Sequence, residues 1–539
     1  MDSQTLVAVG VTAAAVIIVS MTASRFFKAA QATEPPSLTP ASFPEPPDYV
    51  KRLASELPDS VVFPRDTDEF QQVLGRYWNQ INRETLPVCV VRAKTAEELS
   101  VVVKHLKSEF AERNNPRGQS LFAIRSGGAN PACGLSGVEN GVLLDLSLLS
   151  DVVFSEDGSR VDVGPGAYWI DVCQKAEERG LAVVGGRSAP VGVGGSTLQG
   201  GMSFYSPKRG FVCSNVISYE VVLADGSIVT ASADQHPDLW RALKGGGGNF
   251  GIVTRFTIPA FPAGKMWTAS LLSPGFRAAT SLTAFHDYGK NATSGEPGAF
   301  DENAAPVILA FVYLTKVGLS LCSTALAYTE SESKAWPEHF RKSPFKSIWC
   351  LHKAIKQKPP SQEIKAFGDM SPAGSRNVYT TTTIKHDFKT LQDVYTIWRE
   401  AIPSIKHVEN SKFVLVLQLL LPQWLNKGDP NILGLEDCKD ALVVIEIVSD
   451  WKDPKDDDLV RATARCCIEK MEQVSEANGA SHPFRFQNYA AEWQRPVEGF
   501  GTENVRFMQG VSAKYDPDGL FQTGSARGFK LDASDKTAK

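Results

Sequence analysis

The sequence has no Cys-x-x-Cys pair and no His-Glu-x-x-His run, and its eight histidines show no close ligand spacing. It therefore offers no pattern for a zinc site, and no metal is expected. Its nine cysteines are odd in number and thinly spread, with Cys466 and Cys467 adjacent in a helical pattern. That distribution does not read as a disulfide framework. Clustered positive charge is also missing. Lys and Arg total 56 against 60 Asp and Glu, for a net charge of −4, which excludes the basic face of a nucleic-acid binder. There is no internal repeat. With 43% hydrophobic and 22% charged residues over 539 positions, the chain has a globular composition and is long enough for two to four domains, or two large ones sharing a core.

Long apolar runs without charge are scarce too, with one exception. From Leu6 to Ala23 there is no charge and almost no polar residue, barely enough to span a bilayer. Asp2 precedes the run, and Arg25 and Lys28 follow it. The flanking charges predict an uncleaved anchor with the rest of the chain on the cytosolic side. A cleaved secretion signal is the alternative, because Ala30-Gln31-Ala32 has the A-x-A form. The proline-rich stretch up to Pro47 reads as a linker, which gives residues 1–47 as anchor (or signal) plus linker.

Folded sequence starts near Asp48. Residues 89–93 (CVVRA) are β-rich, and Thr95 then caps an amphipathic helix, with Glu98 at the capping-box position. Strands are expected at 121–125 and 142–146, hairpins over 152–163 and 217–231, and helices over 167–179 and 234–244. The turn Asp225-Gly226 is among the strongest short hairpin signals. Beyond Pro262 glycines thin out. Residues 414–421 and 441–448 read as buried strands and 459–477 as a helix. The turn-rich composition of the first half returns from Phe484 onward.

Three glycine clusters stand out: Arg125-Ser-Gly-Gly-Ala-Asn-Pro131, the run from Gly185 to Gly201, and Lys244-Gly-Gly-Gly-Gly-Asn-Phe-Gly251. The first follows a strand, so its N–H groups can form an anion nest. The second is nearly free of side-chain bulk, so a large ligand could lie against backbone. Each alone reads as a turn. The third contains Gly246, Gly248 and Gly251 in G-x-G-x-x-G spacing, but a helix precedes it and a strand follows. That is the reverse of a dinucleotide-binding βαβ unit.

All three clusters, in this order and spacing, resemble the berberine-bridge-enzyme-like oxidases of the vanillyl-alcohol-oxidase superfamily, in the fungal branch. The resemblance centres on residues 86–261. It extends to Tyr77-Trp78, to the residues around Tyr205–Asn215 and Leu223–Gly226, and to Asn488-Tyr489-Ala490. It also covers Tyr515-Asp-Pro-Asp-Gly-Leu-Phe521, and it is loose over 262–482. It implies an α+β, two-domain FAD-linked oxidase fold. The FAD domain (48–261) is built from both chain ends, with 484–539 returning to it, and 262–483 form an inserted substrate domain whose antiparallel sheet covers the flavin. By the same resemblance, Arg125, Ser126, Gly127 and Gly128 would hold the pyrophosphate. Val191, Gly192, Gly194, Gly195, Ser196, Gly200 and Gly201 would line the flavin and ribityl chain. Gly251, Ile252 and Val253 would meet the adenine end, and Asn488 and Tyr489 would reach the flavin from the C-terminal segment. Tyr489 is the candidate catalytic base. Gln418, on the expected strand 414–421, could orient a substrate, although a satisfied buried glutamine is the plainer reading.

Departures from the family are as informative. Many members attach FAD through a histidine after the Arg-Ser-Gly-Gly loop and a cysteine three residues before the valine of the second cluster. Here those positions are Ala129 and Ser188, which implies non-covalent FAD. Secreted members pair a cysteine equivalent to Cys89 with one near the start of the folded region, and none is present there. Valine at position 191 is the family's oxygen-permissive residue, which implies reoxidation by molecular oxygen. The leading function is an FAD-dependent oxidoreductase (oxidase) moving a hydride from a small organic substrate to flavin, in secondary metabolism. An FAD-containing cyclase or pericyclase without net redox turnover and a non-catalytic flavin scaffold are the alternatives.

Overall fold

The computed structural model describes residues 45–113, 120–330 and 333–531. The fold rests on three sheets. In the first, β1 (Val61–Val62), β2 (Cys89–Val91), β3 (Phe122–Arg125) and β4 (Val142–Asp145) run in the order β1-β2-β4-β3. The last three are mutually parallel. Parallel neighbours need a crossover, and the helix Ala96–Arg113 supplies it between β2 and β3. Glu98 N–H donates to Thr95 Oγ1 at 3.2 Å, and Lys94 N–H donates to the Glu98 carboxylate at 2.9 Å. The cap therefore forms, with its return contact one residue upstream of a standard box.

The second sheet is built from β5 (Val152–Phe154), β6 (Arg160–Val163), β7 (Leu181–Val183), β8 (Ser218–Val222), β9 (Ile228–Ser232) and β10 (Ile252–Pro262). Its order is β5-β6-β10-β8-β9, and β7 also pairs with β10. The long β10 leads directly into the third sheet, which contains β11 (Met266–Pro274), β12 (Ile308–Leu314), β13 (Leu319–Tyr328), β14 (His352–Lys358), β15 (Arg376–Lys385), β16 (Lys412–Leu420), β17 (Leu442–Trp451) and β18 (Ser481–His482). This sheet is antiparallel in the order β14-β11-β13-β12-β16-β17-β15-β18. The amphipathic helices Phe388–Ile405 and Asp457–Ala477 pack on one of its faces. The opposite face borders the cavity described below.

The chain's end returns to the first sheet. Ser525 bridges Phe122 of β3, and Ala526 N–H donates to Phe122 O at 2.5 Å. The mixed α+β architecture expected for an FAD-linked oxidase is therefore present. Membrane anchoring is corrected. Among the described residues no helix is long and apolar enough to cross a membrane. The run from Leu6 to Ala23 lies outside them, so the expected transmembrane anchor and the placement built on it are withdrawn.

Candidate active site

The three glycine clusters border one cavity of about 1410 Å³. A pocket for one drug-sized ligand is typically about 300–1,000 Å³, so there is room here for a dinucleotide and a second molecule. The first two clusters touch through their backbones. A Cβ on Gly127 would lie 2.7 Å from Gly192 Cα, and a Cβ on Gly192 would lie 2.7 Å from Gly127 Cα. Only glycine permits that approach. At Gly195 and Gly248 an added Cβ would meet nothing within 4 Å, and both residues line the cavity. Bare backbone thus faces the ligand space.

Asn488 ties the chain's last segment to this cradle. Its Nδ2 donates to Ser196 O at 3.1 Å, and Gly201 N–H donates to its Oδ1 at 3.3 Å. Its own carbonyl accepts from Asn130 Nδ2 at 3.3 Å. Asn488 therefore holds the cradle's shape with both ends of its amide.

Of the residues singled out from the sequence, Ser126, Gly127, Gly128, Ala129, Ser188, Val191, Gly192, Gly194, Gly195, Ser196, Gly201, Gly251, Ile252, Val253, Asn488 and Tyr489 all line the cavity. Arg125 and Gly200 are not among its lining residues. The parallel register places Arg125 opposite Asp145. Its Nη2 lies 3.0 Å from that carboxylate, Nη1 donates to Val73 O at 2.8 Å, and the guanidinium stacks over Tyr77. Gly200 is turned toward Leu433 and Phe486.

The third sheet supplies the rest of the wall. Ile308, Ala310, Val312 and Leu314 of β12 alternate onto the cavity face, with Leu321, Val414, Val416 and Val448 from neighbouring strands. The result is a long apolar trough. Polar groups gather at one end. Arg187 Nη2 donates to Gln418 Oε1 at 2.6 Å and to Tyr489 OH at 3.1 Å, while Nη1 is buried without a partner. Glu446, on β17, stands between Val416 of β16 and Thr381 of β15. It is 5% exposed, lines the cavity, and makes no hydrogen bond through its carboxyl group among the described residues. Burial pushes its pKa up to about 8, partly offset by Arg187. Burial also raises the Tyr489 phenol, with Arg187 opposing. Tyr379, one row further along, is held well above its ordinary value by burial and by Glu446.

Sequence reasoning identified Tyr489 and Gln418 in this cluster and missed Glu446 and Arg187. Glu446 carries a signal that could have found it: a single acid in the otherwise apolar run LVVIEIV. Ser136 Oγ and Gln487 Oε1 are buried, unpartnered and line the cavity. Together with the glycine backbone they fit a large polar ligand such as FAD.

Comparisons with known proteins agree. Residues 87–232 match the family described as an FAD binding domain. The chain is 31% identical over 490 residues to the FAD-dependent monooxygenase sdcF of Emericella nidulans, covering 89% of this chain and 97% of that one. It is 31% identical over 472 residues to the FAD-dependent monooxygenase FUP4 of Fusarium proliferatum, covering 84% and 87%. Among solved structures, xylooligosaccharide oxidase from Myceliophthora thermophila shares the fold with a TM-score of 0.70 at 19% identity, over 89% of this chain and 99% of that one. A variant of berberine bridge enzyme does so with a TM-score of 0.68 at 16% identity, over 89% and 100%.

Proposed function

Because the chain belongs with the FAD-dependent oxidoreductases that carry this FAD binding domain and shares the fold of berberine bridge enzyme, we propose that it oxidises an extended, largely apolar small molecule, with Glu446 as proton acceptor. FAD, when bound, would supply the hydride acceptor, with molecular oxygen as the terminal oxidant. The residues 48–261 with 484–539 hold the cofactor, and 262–483 hold the substrate. The backbone of residues 125–128 would meet the pyrophosphate, residues 191–201 would line the flavin, and 251–253 would meet the adenine end. Asn488 keeps the loops in place.

The observation that carries this reading is Glu446: a buried carboxyl without a hydrogen bond, facing a cavity shared with a glycine cradle. Losing a hydride leaves a substrate hydroxyl or amine with a proton to give up, and a base must lie within hydrogen-bond reach. Glu446 accepts it at a carboxylate oxygen. Tyr489 is less suited, because burial raises its phenol and the opposing pull of Arg187, which donates to its oxygen, does not overcome that. It orients the substrate's reacting end together with Gln418, and Arg187 fixes both. The trough of β12, β13 and β16 takes the apolar remainder and excludes water. A pericyclic ring closure transfers no proton, so a poised proton acceptor at this position favours the redox reading.

FAD is held without a covalent bond. Ala129 and Ser188 supply neither imidazole nor thiol. Among the described residues lining the cavity there is no cysteine, and the one histidine, His352, lies on the edge strand β14. The reading is tested by anaerobic mixing with a panel of extended apolar alcohols and amines. At least one should bleach the visible flavin band and regain it on admission of air. Bleaching by none of a chemically broad panel, with turnover of a panel member to an isomer, would favour the cyclase.

A further inference from the structure

The cofactor of this reading brings a pyrophosphate, and two negative charges sealed in a protein cavity need a cation or several strong donors. Arg125, at the head of the first glycine cluster, is the obvious candidate by sequence. Its charge is already spent on Asp145, which is itself fully buried, and its side chain does not line the cavity. Arg187 donates through Nη2 to Gln418 and Tyr489, and its charge acts on Glu446 and Tyr489 in that polar cluster. Lys316, Lys412 and Lys452 belong to the inserted sheet and its hairpins. Along the part of the wall formed by β3, the third glycine cluster and the chain's tail, one cation remains among the described residues, Lys530.

Lys530 is held in place with some care. Its Nζ donates to Phe521 O at 2.7 Å and Ser525 Oγ at 2.6 Å. The tail that carries it is tied down on both sides. Ala526 N–H bonds to Phe122 of β3, and Asn249 Nδ2 donates to Phe529 O at 2.9 Å. Leu531 N–H donates to Gln522 Oε1 at 3.1 Å. No carboxylate forms an ion pair with Lys530 among the described residues. The acid that acts on it through space, Asp516, accepts instead from the N–H groups of Leu520 and Phe521 at 2.9 and 2.7 Å. Lys530 is partly buried, on the cavity wall; an ammonium held there without a counter-ion is costly unless a ligand brings one, and desolvation depresses its pKa to about 8.

We infer that Lys530 is the cation that neutralises the phosphate charge of the bound cofactor, the part that Arg125 would have filled. This rests on the FAD reading above. Ser525, Ala526, Gly528 and Phe529 line the cavity beside it but carry no charge, and the bonds of Lys530 to Phe521 O and Ser525 Oγ leave its third N–H free for a phosphate oxygen.

The test compares flavins that differ in phosphate. Cofactor-stripped wild type, Lys530→Met and Lys530→Arg are titrated with FAD and with riboflavin, at low and high KCl, by quenching of flavin fluorescence. Lys530→Met should weaken FAD about 10- to 100-fold, the range for a hydrogen bond to a charged group, and leave riboflavin unchanged. Lys530→Arg should recover most of the loss. Wild-type FAD affinity should fall more steeply with salt than that of Lys530→Met. Unchanged FAD affinity in Lys530→Met, equal losses for FAD and riboflavin, or identical salt slopes would each overturn the inference. If folded wild type binds neither flavin, the FAD reading itself fails.

Discussion

Replacing Glu446 with glutamine keeps the shape of the side chain and removes the proton acceptor. The loss of a positioned base costs about 10²- to 10⁴-fold in rate, so flavin reduction by a substrate should slow by that factor while FAD stays bound. The pH dependence follows from burial. In wild type the carboxyl must ionise to act, and its pKa is raised from 4.5 to about 8. Reduction should therefore speed up as pH rises toward 8 and level off above it, and in Glu446→Gln that rise should vanish. Stability moves the opposite way. A carboxyl whose pKa is raised on folding contributes stability that is complete below the unfolded value and is lost as pH rises through the folded one. For Glu446 that window runs from about 4.5 to about 8. Wild type should lose up to about 1.4 kcal/mol per pH unit across it relative to Glu446→Gln. Denaturant melts of both proteins with equal FAD content, together with anaerobic stopped-flow reduction, measure the two effects. A variant that reduces flavin at the wild-type rate with the wild-type pH profile would remove Glu446 from the chemistry. A stability difference that does not change with pH would show that the carboxyl is not held neutral by burial.

Two other substitutions probe the cradle. Val191 lines the cavity, and an added methylene there projects into the space a bound flavin would fill. Val191→Ile should slow reoxidation by air-saturated buffer about tenfold, equivalent to about 1.4 kcal/mol of barrier, with substrate reduction unaffected; an unchanged reoxidation rate would count against Val191 as the oxygen gate. Gly127→Ala places a methyl 2.7 Å from the Gly192 backbone and should cost about 1–3 kcal/mol, read as a lowered melting temperature and a sub-stoichiometric flavin content after purification.

The glycine clusters were legible because their meaning is local: backbone without side chains is visible in the sequence itself. The reversed order around Gly246 and Gly251 was equally readable, and the helix Pro237–Leu243 does precede the cluster while β10 follows it. Strand pairing is a different matter. Nothing near Arg125 in the sequence indicates that β3 lies parallel to β4 in the register that sets it against Asp145, and that one contact removes its side chain from the cavity. Glu446 is hidden for the same reason. Its strand reads correctly as buried, yet only the β16–β17 register shows which neighbour of Gln418 it becomes. Arg187 sat within a cluster valued for its glycines, and its reach to residues 231 and 302 positions away is a product of the inserted sheet and the returning tail.

The most direct measurement is the simplest. Wild-type protein is purified, its visible spectrum recorded, and the protein precipitated with acid and centrifuged. The account predicts a flavin spectrum near one equivalent per chain, a yellow supernatant identified as FAD by mass, and a colourless pellet. A protein without flavin, or a yellow pellet yielding a flavin-bearing peptide, would contradict it.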